Sequence, residues 1–136
     1  MTPDLPPLAW VLLGAALAVP FVALGRRLPD RLERAAWAVG LFVAASVYVA
    51  FALARSAPAV AIAFEVGGVA LFTALAGLGP RDRRWLGAAW LLHPVWDGLH
   101  HPGGFAHGPE WYVWACLSFD TVAGLALLAN GTRGRA

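Results

Sequence analysis

The run AVAIAFEVGGVALFTALAGL, from Ala59 to Leu78, decides the fold: 20 residues with one ionisable side chain, Glu65. A stretch that long and that apolar is what a helix needs to cross the hydrocarbon core of a bilayer. The punctuation on either side agrees. Arg55-Ser56-Ala57-Pro58 reads as a tight turn before it, and Gly79-Pro80-Arg81-Asp82-Arg83-Arg84 breaks the chain after it, with Asp82 placed to cap the next helix.

Working outward, the same pattern recurs. Apolar spans are expected at about 8–25, 35–53, 59–78, 85–100 and 111–129, in one domain covering 1–136. Asp30-Arg31-Leu32-Glu33 reads as a capping box ahead of the second span. Pro20 in the first span and Pro94 in the fourth are expected to kink their helices. The N-terminus has no basic stretch before its apolar run, so that run is expected to be retained as a span. The fold class is therefore all-α, a polytopic bundle of five transmembrane helices.

Composition supports this. Of 136 residues, 60% are hydrophobic and 13% charged, against roughly half and a quarter in soluble domains. The chain has no lysine, and its arginines sit at span ends, which argues against a nucleic-acid partner. Five spans place nine arginines on one side and only Arg55 on the other. The positive-inside rule then puts the N-terminus outside and the C-terminus in the cytoplasm, as in a multi-pass bacterial inner-membrane protein. Trp10, Trp37, Trp85, Trp111 and Tyr112 fall at span ends, where an interfacial belt is expected. The one cysteine, Cys116, reads as a small apolar packer.

Against this apolar background the stretch His93-Pro94-Val95-Trp96-Asp97-Gly98-Leu99-His100-His101 stands out. His93, Asp97 and His100 share one helix face, and His101 lies at its edge. Counting about 1.5 Å per residue from the outer surface, His93, Glu65 and Asp120 all fall about 10–14 Å deep, on three different helices. Ionisable groups at such depth are costly unless they face one another or a metal. Gly67-Gly68 permits close helix approach beside Glu65. The expectation is one polar site in the outer half, open to the outside, with His101, His107 and Glu110 at its rim.

Histidine with carboxylate is a ligand set for zinc or iron. His93, Asp97, His100 and His101 are the expected metal ligands, and Glu65 and Asp120 the expected catalytic acids or bases acting on bound water. Such a site suits hydrolysis of a lipid-like substrate. Metal-free acid-base isomerisation or cyclisation of a lipophilic molecule uses the same residues. Two further classes remain open: proton or metal-ion transport, and a structural or assembly role. In the last, His93 and Asp97 only lock helices together, and His100 and His101 are interfacial. Transport needs polar steps through both halves, and the inner half is nearly all apolar. The bilayer is the certain partner, a lipophilic small molecule an expected one, and a homo-oligomer is compatible with the sequence. Ser46, Tyr48 and Thr73 are expected to make local or interhelical hydrogen bonds.

The run His93-x3-Asp97-x2-His100-His101 resembles a motif of small, uncharacterised bacterial integral membrane proteins of domain-of-unknown-function type. That resemblance covers most of the chain and implies a membrane fold but no activity. Asp97-x2-His100-His101 is also similar to one histidine box of membrane di-iron hydroxylases and desaturases, with Asp where His is usual. Those enzymes carry several boxes and about eight histidines; this chain has four. His93-x3-Asp97-Gly98 resembles the His-x3-Glu-Gly stretch of sterol-isomerase-like membrane proteins, which implies acid-base chemistry without a metal.

Overall fold

Long apolar runs closed off by proline, glycine and arginine form five helices in the computed structural model, which describes residues 5–79, 82–100 and 108–131. They are α1 (Pro7–Gly25), α2 (Asp30–Ala54), α3 (Ala59–Ala76), α4 (Arg83–Leu99) and α5 (Glu110–Gly131). Four of them, α1, α2, α3 and α5, are long and apolar enough to cross a membrane. Their outward faces carry exposed Leu12, Val60, Leu71 and Leu125, the surface expected of a protein solvated by lipid. The chain thus reads as a multi-pass membrane protein. α4 has 17 residues and a more polar composition, and its buried face presents Leu86, Trp90, His93 and Asp97 to the other helices.

Local signals account for most helix ends. Asp82 caps α4 through an Arg84 N–H bond to its Oδ1 at 2.9 Å. α2 ends in a Schellman turn, with Ala57 N–H on the Ala52 carbonyl and Ser56 N–H on that of Leu53. Ser56 occupies the left-handed position at φ 51°, where a Cβ is strained. Ser56→Gly is therefore expected to stabilise the protein by up to about 1 kcal/mol, visible as a higher Tm in detergent. Helices α1 and α4 both continue through their internal prolines, Pro20 and Pro94.

The expected capping box does not form. Pro29 is the N-cap residue of α2 and no side chain caps that end. Asp30 and Glu33 instead both bind Arg83 at the start of α4. A buried carboxylate beside an arginine gains more from ion pairing than from one backbone N–H. This strut ties the two helix starts together at the arginine-rich end. Arg83→Ala leaves Glu33 buried without its cation, and a loss of about 2 kcal/mol is expected by thermal or chemical unfolding in detergent.

α5 packs along both α1 and α4, while α2 packs mainly on α3. Close approaches between helices need glycine, and the tightest is at Gly14 of α1, where a Cβ would run into the Ala115 carbonyl oxygen of α5. A Cβ on Gly124 of α5 would stand 2.6 Å from Leu91 Cγ and 3.0 Å from the Gly87 carbonyl oxygen of α4. A Cβ on Gly68 would run into the Trp96 ring, whereas Gly67 faces open space. Only one glycine of the expected pair is therefore used for contact.

The core at the arginine-rich half is a dry layer of Trp37, Leu41, Phe72, Leu86, Trp90 and Leu127. Trp37 departs from the expected interfacial belt. It is 2% exposed, edge-on to Phe21 and Trp90, and its carbonyl accepts from Trp90 Nε1 at 3.2 Å. Burial of its rings in the bundle gains more than a position at the headgroups. Trp85 is exposed as a belt residue should be, and Trp10 stacks obliquely near Trp111.

Candidate metal and acid-base site

Beyond the aromatic layer, toward the end of the bundle where α4 stops and α5 starts, four helices deliver polar side chains to one dry region. α4 supplies His93 and Asp97 four residues apart, hence on one face, and His100 one turn on. α5 supplies Asp120, α3 Glu65 and α2 Tyr48. All five ionisable groups expected at the site (Glu65, His93, Asp97, His100 and Asp120) are buried, at most 1% exposed.

They divide into two linked groups. In the first, His93 Nδ1 and Asp120 Oδ2 share a hydrogen bond of 2.7 Å, and Asp97 Oδ1 lies 3.5 Å from the same nitrogen. Tyr48 donates its hydroxyl to Asp97 Oδ1 at 2.6 Å. His93, Asp97 and Asp120 each offer one ligand atom, all within 4.8 Å of one another. Three further atoms here, His93 Nε2, Asp97 Oδ2 and Asp120 Oδ1, are buried without a protein partner. Buried polar atoms in proteins are rarely left unpaired.

In the second group, His100 Nε2 meets Glu65 Oε1 at 2.8 Å. His100 Nδ1 lies 2.9 Å from the Trp96 carbonyl oxygen. A carbonyl only accepts, so Nδ1 carries a proton, and one further proton is shared between Nε2 and Glu65. The Trp96 carbonyl is available because the His100 backbone N–H turns to Asp97 instead. The two groups touch through stacked rings: the Tyr48 and His100 centroids are 3.9 Å apart at 23°.

The sequence thus identified five residues that do come together, but not their pairing. Asp120, read as a base, stands among the atoms able to hold a cation. His100, read as a ligand, faces Glu65. Tyr48, expected only to make a hydrogen bond, joins the two groups. Nothing in the residues around Tyr48 singles it out; only its position on α2 opposite Asp97 does. His101 and His107 lie outside the described residues. Glu110 starts α5 and accepts a 3.2 Å bond from Trp114 Nε1 on its own helix. Ser46 bonds back to the Phe42 carbonyl at 2.7 Å, a local contact as expected.

The expected opening to the outside falls on residues 101–107, outside the described residues. On the flank of the bundle, a groove lined by residues of α1, α2 and α5 and by Trp90 of α4 reaches Asp120.

Residues 9–133 match the model of DUF6010, a family of unknown function. No curated protein and no solved structure matches the chain.

Proposed function

We propose that this chain, which belongs to the DUF6010 family, is an intramembrane metal-dependent hydrolase acting on a lipid-like substrate. The observation that carries this reading is the trio His93, Asp97 and Asp120, buried, with ligand atoms within 4.8 Å and two carboxylate oxygens left without partners. Two carboxylates in one dry space repel, and a divalent cation between them offsets both charges. Three protein ligands leave a coordination position free, the pattern of catalytic rather than structural zinc. Bound there, a cation supplies Lewis acidity and lowers the pKa of an attached water.

The chain's own residues do the rest. Tyr48 holds Asp97 by its Oδ1, as outer partners orient ligating carboxylates. His100 and Glu65, through the ring of Tyr48, fix that hydroxyl in place. The second carboxylate oxygen of Asp120 or Asp97 is free to take the proton as the water oxygen adds to an acyl carbon. The acyl bond then breaks, and the same proton passes to the leaving alcohol or amine. Glu65 and its shared proton with His100 form the nearby acid-base reserve.

In this reading α4 also crosses the membrane, the N-terminus lies outside, and the site sits in the outer half. Among the described residues, Arg26, Arg27, Arg31, Arg34, Arg83 and Arg84 at the opposite end support that orientation. The layer formed by Trp37, Phe72 and Trp90 closes the inner half, which favours a closed reaction site over an ion path. Elemental analysis of purified wild-type protein tests the proposal. About one divalent ion per chain is expected; a metal-free, folded wild type rules the hydrolase out and leaves acid-base isomerisation by the same residues.

A further inference from the structure

α1 packs on α5 and α2 packs on α3, so consecutive helices α1 and α2 turn toward different neighbours. The space left between α2 on one side and α1 and α5 on the other is a groove of about 330 Å³. That is at the small end for ligand pockets, room for a chain segment and not for a whole phospholipid. Its walls are Phe21, Val43, Val47, Tyr112 and Phe119, all apolar or aromatic, and Asp120 also lines it. Asp120 is 1% exposed, and its Oδ1 has no protein partner.

From these features we infer that the groove admits an uncharged, single-chain lipid ester or amide sideways from the bilayer. Its hydroxyl or N–H donor is presented to Asp120. This rests on the reading of Asp120 as part of the reactive centre. The chemistry selects the occupant in three ways. Val43, Val47 and their neighbours stand near the middle of α2, so a charged headgroup would have to leave the interface, which is costly at that depth. The described lining of the groove carries no basic side chain to pair with a carboxylate or phosphate that has lost its water. An unpartnered carboxylate oxygen is satisfied by a donor, which a bare hydrocarbon lacks. The groove therefore accepts neutral amphiphiles and rejects both fatty acids and alkanes.

The test uses a photoactivatable, diazirine-bearing N-acylethanolamine with the full-length protein in lipid nanodiscs. Crosslinks are expected on Val43, Val47, Tyr112 and Phe119. Excess unlabelled N-acylethanolamine should remove them, and the matching free fatty acid should not. Ala44 also lines the groove, and Ala44→Phe, which fills it, should reduce labelling about tenfold while metal content and Tm stay at wild-type values. Val43→Trp serves the same purpose should Ala44→Phe fail to fold. Labelling spread over outward positions such as Leu12 and Val60, unaffected by either variant, overturns the inference. So does equal competition by the fatty acid. Metal analysis is independent: groove labelling without bound metal leaves the lipid site standing and removes the hydrolase, and metal without groove labelling does the reverse.

Discussion

His93→Ala is expected to bring bound divalent metal from about one ion per chain to background, and hydrolysis with it. His93 is the one nitrogen ligand among the three, and it is fully buried at the point where α4 and α5 meet. Its removal leaves Asp97 and Asp120 facing each other with no positive partner. A stability loss of about 3–5 kcal/mol is expected, so metal content must be compared on folded protein. Tyr48→Phe gives the milder control. It keeps the ring packed against His100 and removes only the hydroxyl bonded to Asp97. Metal affinity should fall about 10–100-fold, with a stability loss of about 1–3 kcal/mol for the buried Asp97 oxygen left unpaired. If His93→Ala retains metal at the wild-type level, the trio is not the binding site.

The second large effect is expected at His100 and Glu65. His100→Ala strands the Glu65 carboxyl in a buried place with no partner, a loss of about 3–5 kcal/mol. The double replacement Glu65→Met with His100→Leu should recover most of that loss, because apolar pairs of similar size replace buried ion pairs at little cost. The same variants separate two roles for His100. As a residue that acts through Tyr48, its loss weakens metal binding about tenfold and does not abolish it. As a direct ligand, its loss empties the site as His93→Ala does. A double-mutant cycle with Tyr48→Phe measures the coupling: energies that merely add show that the stacked rings do not transmit the contact.

What the sequence revealed follows from which physical quantity each residue depends on. Helical rise is nearly constant, so depth can be counted, and His93 and Asp120 do meet at one level, whereas Glu65 pairs with His100, about two turns further along α4. The spacing from His93 to Asp97 fixes a shared face for the same reason. Rotation of one helix against another is set by packing, and packing is invisible in the chain order. That is why Asp120 joins His93 while His100 turns to Glu65. Tyr48 is legible as an interhelical hydrogen-bonding residue but not as the link between the two groups, because a neutral hydroxyl in a span is unremarkable until its partner is placed. Trp37 misled for a related reason: a span end in the sequence is an interface only if nothing packs over it, and α1 and α4 do. Asp30 and Glu33 carried a valid capping pattern, which the guanidinium of Arg83 outcompeted.

The parallel contact between α1 and α5 has a consequence for biogenesis. α1 finds its principal partner, α5, only after the three helices between them have emerged. Meanwhile α2 and α3, joined by a four-residue turn at Arg55 to Pro58, can pair as soon as both are inserted. Assembly should therefore begin from that hairpin, with α1 held loosely in lipid until α5 is made. A chain stalled before α5 would present an unpaired glycine-bearing face to the bilayer, a ready target for quality-control proteases.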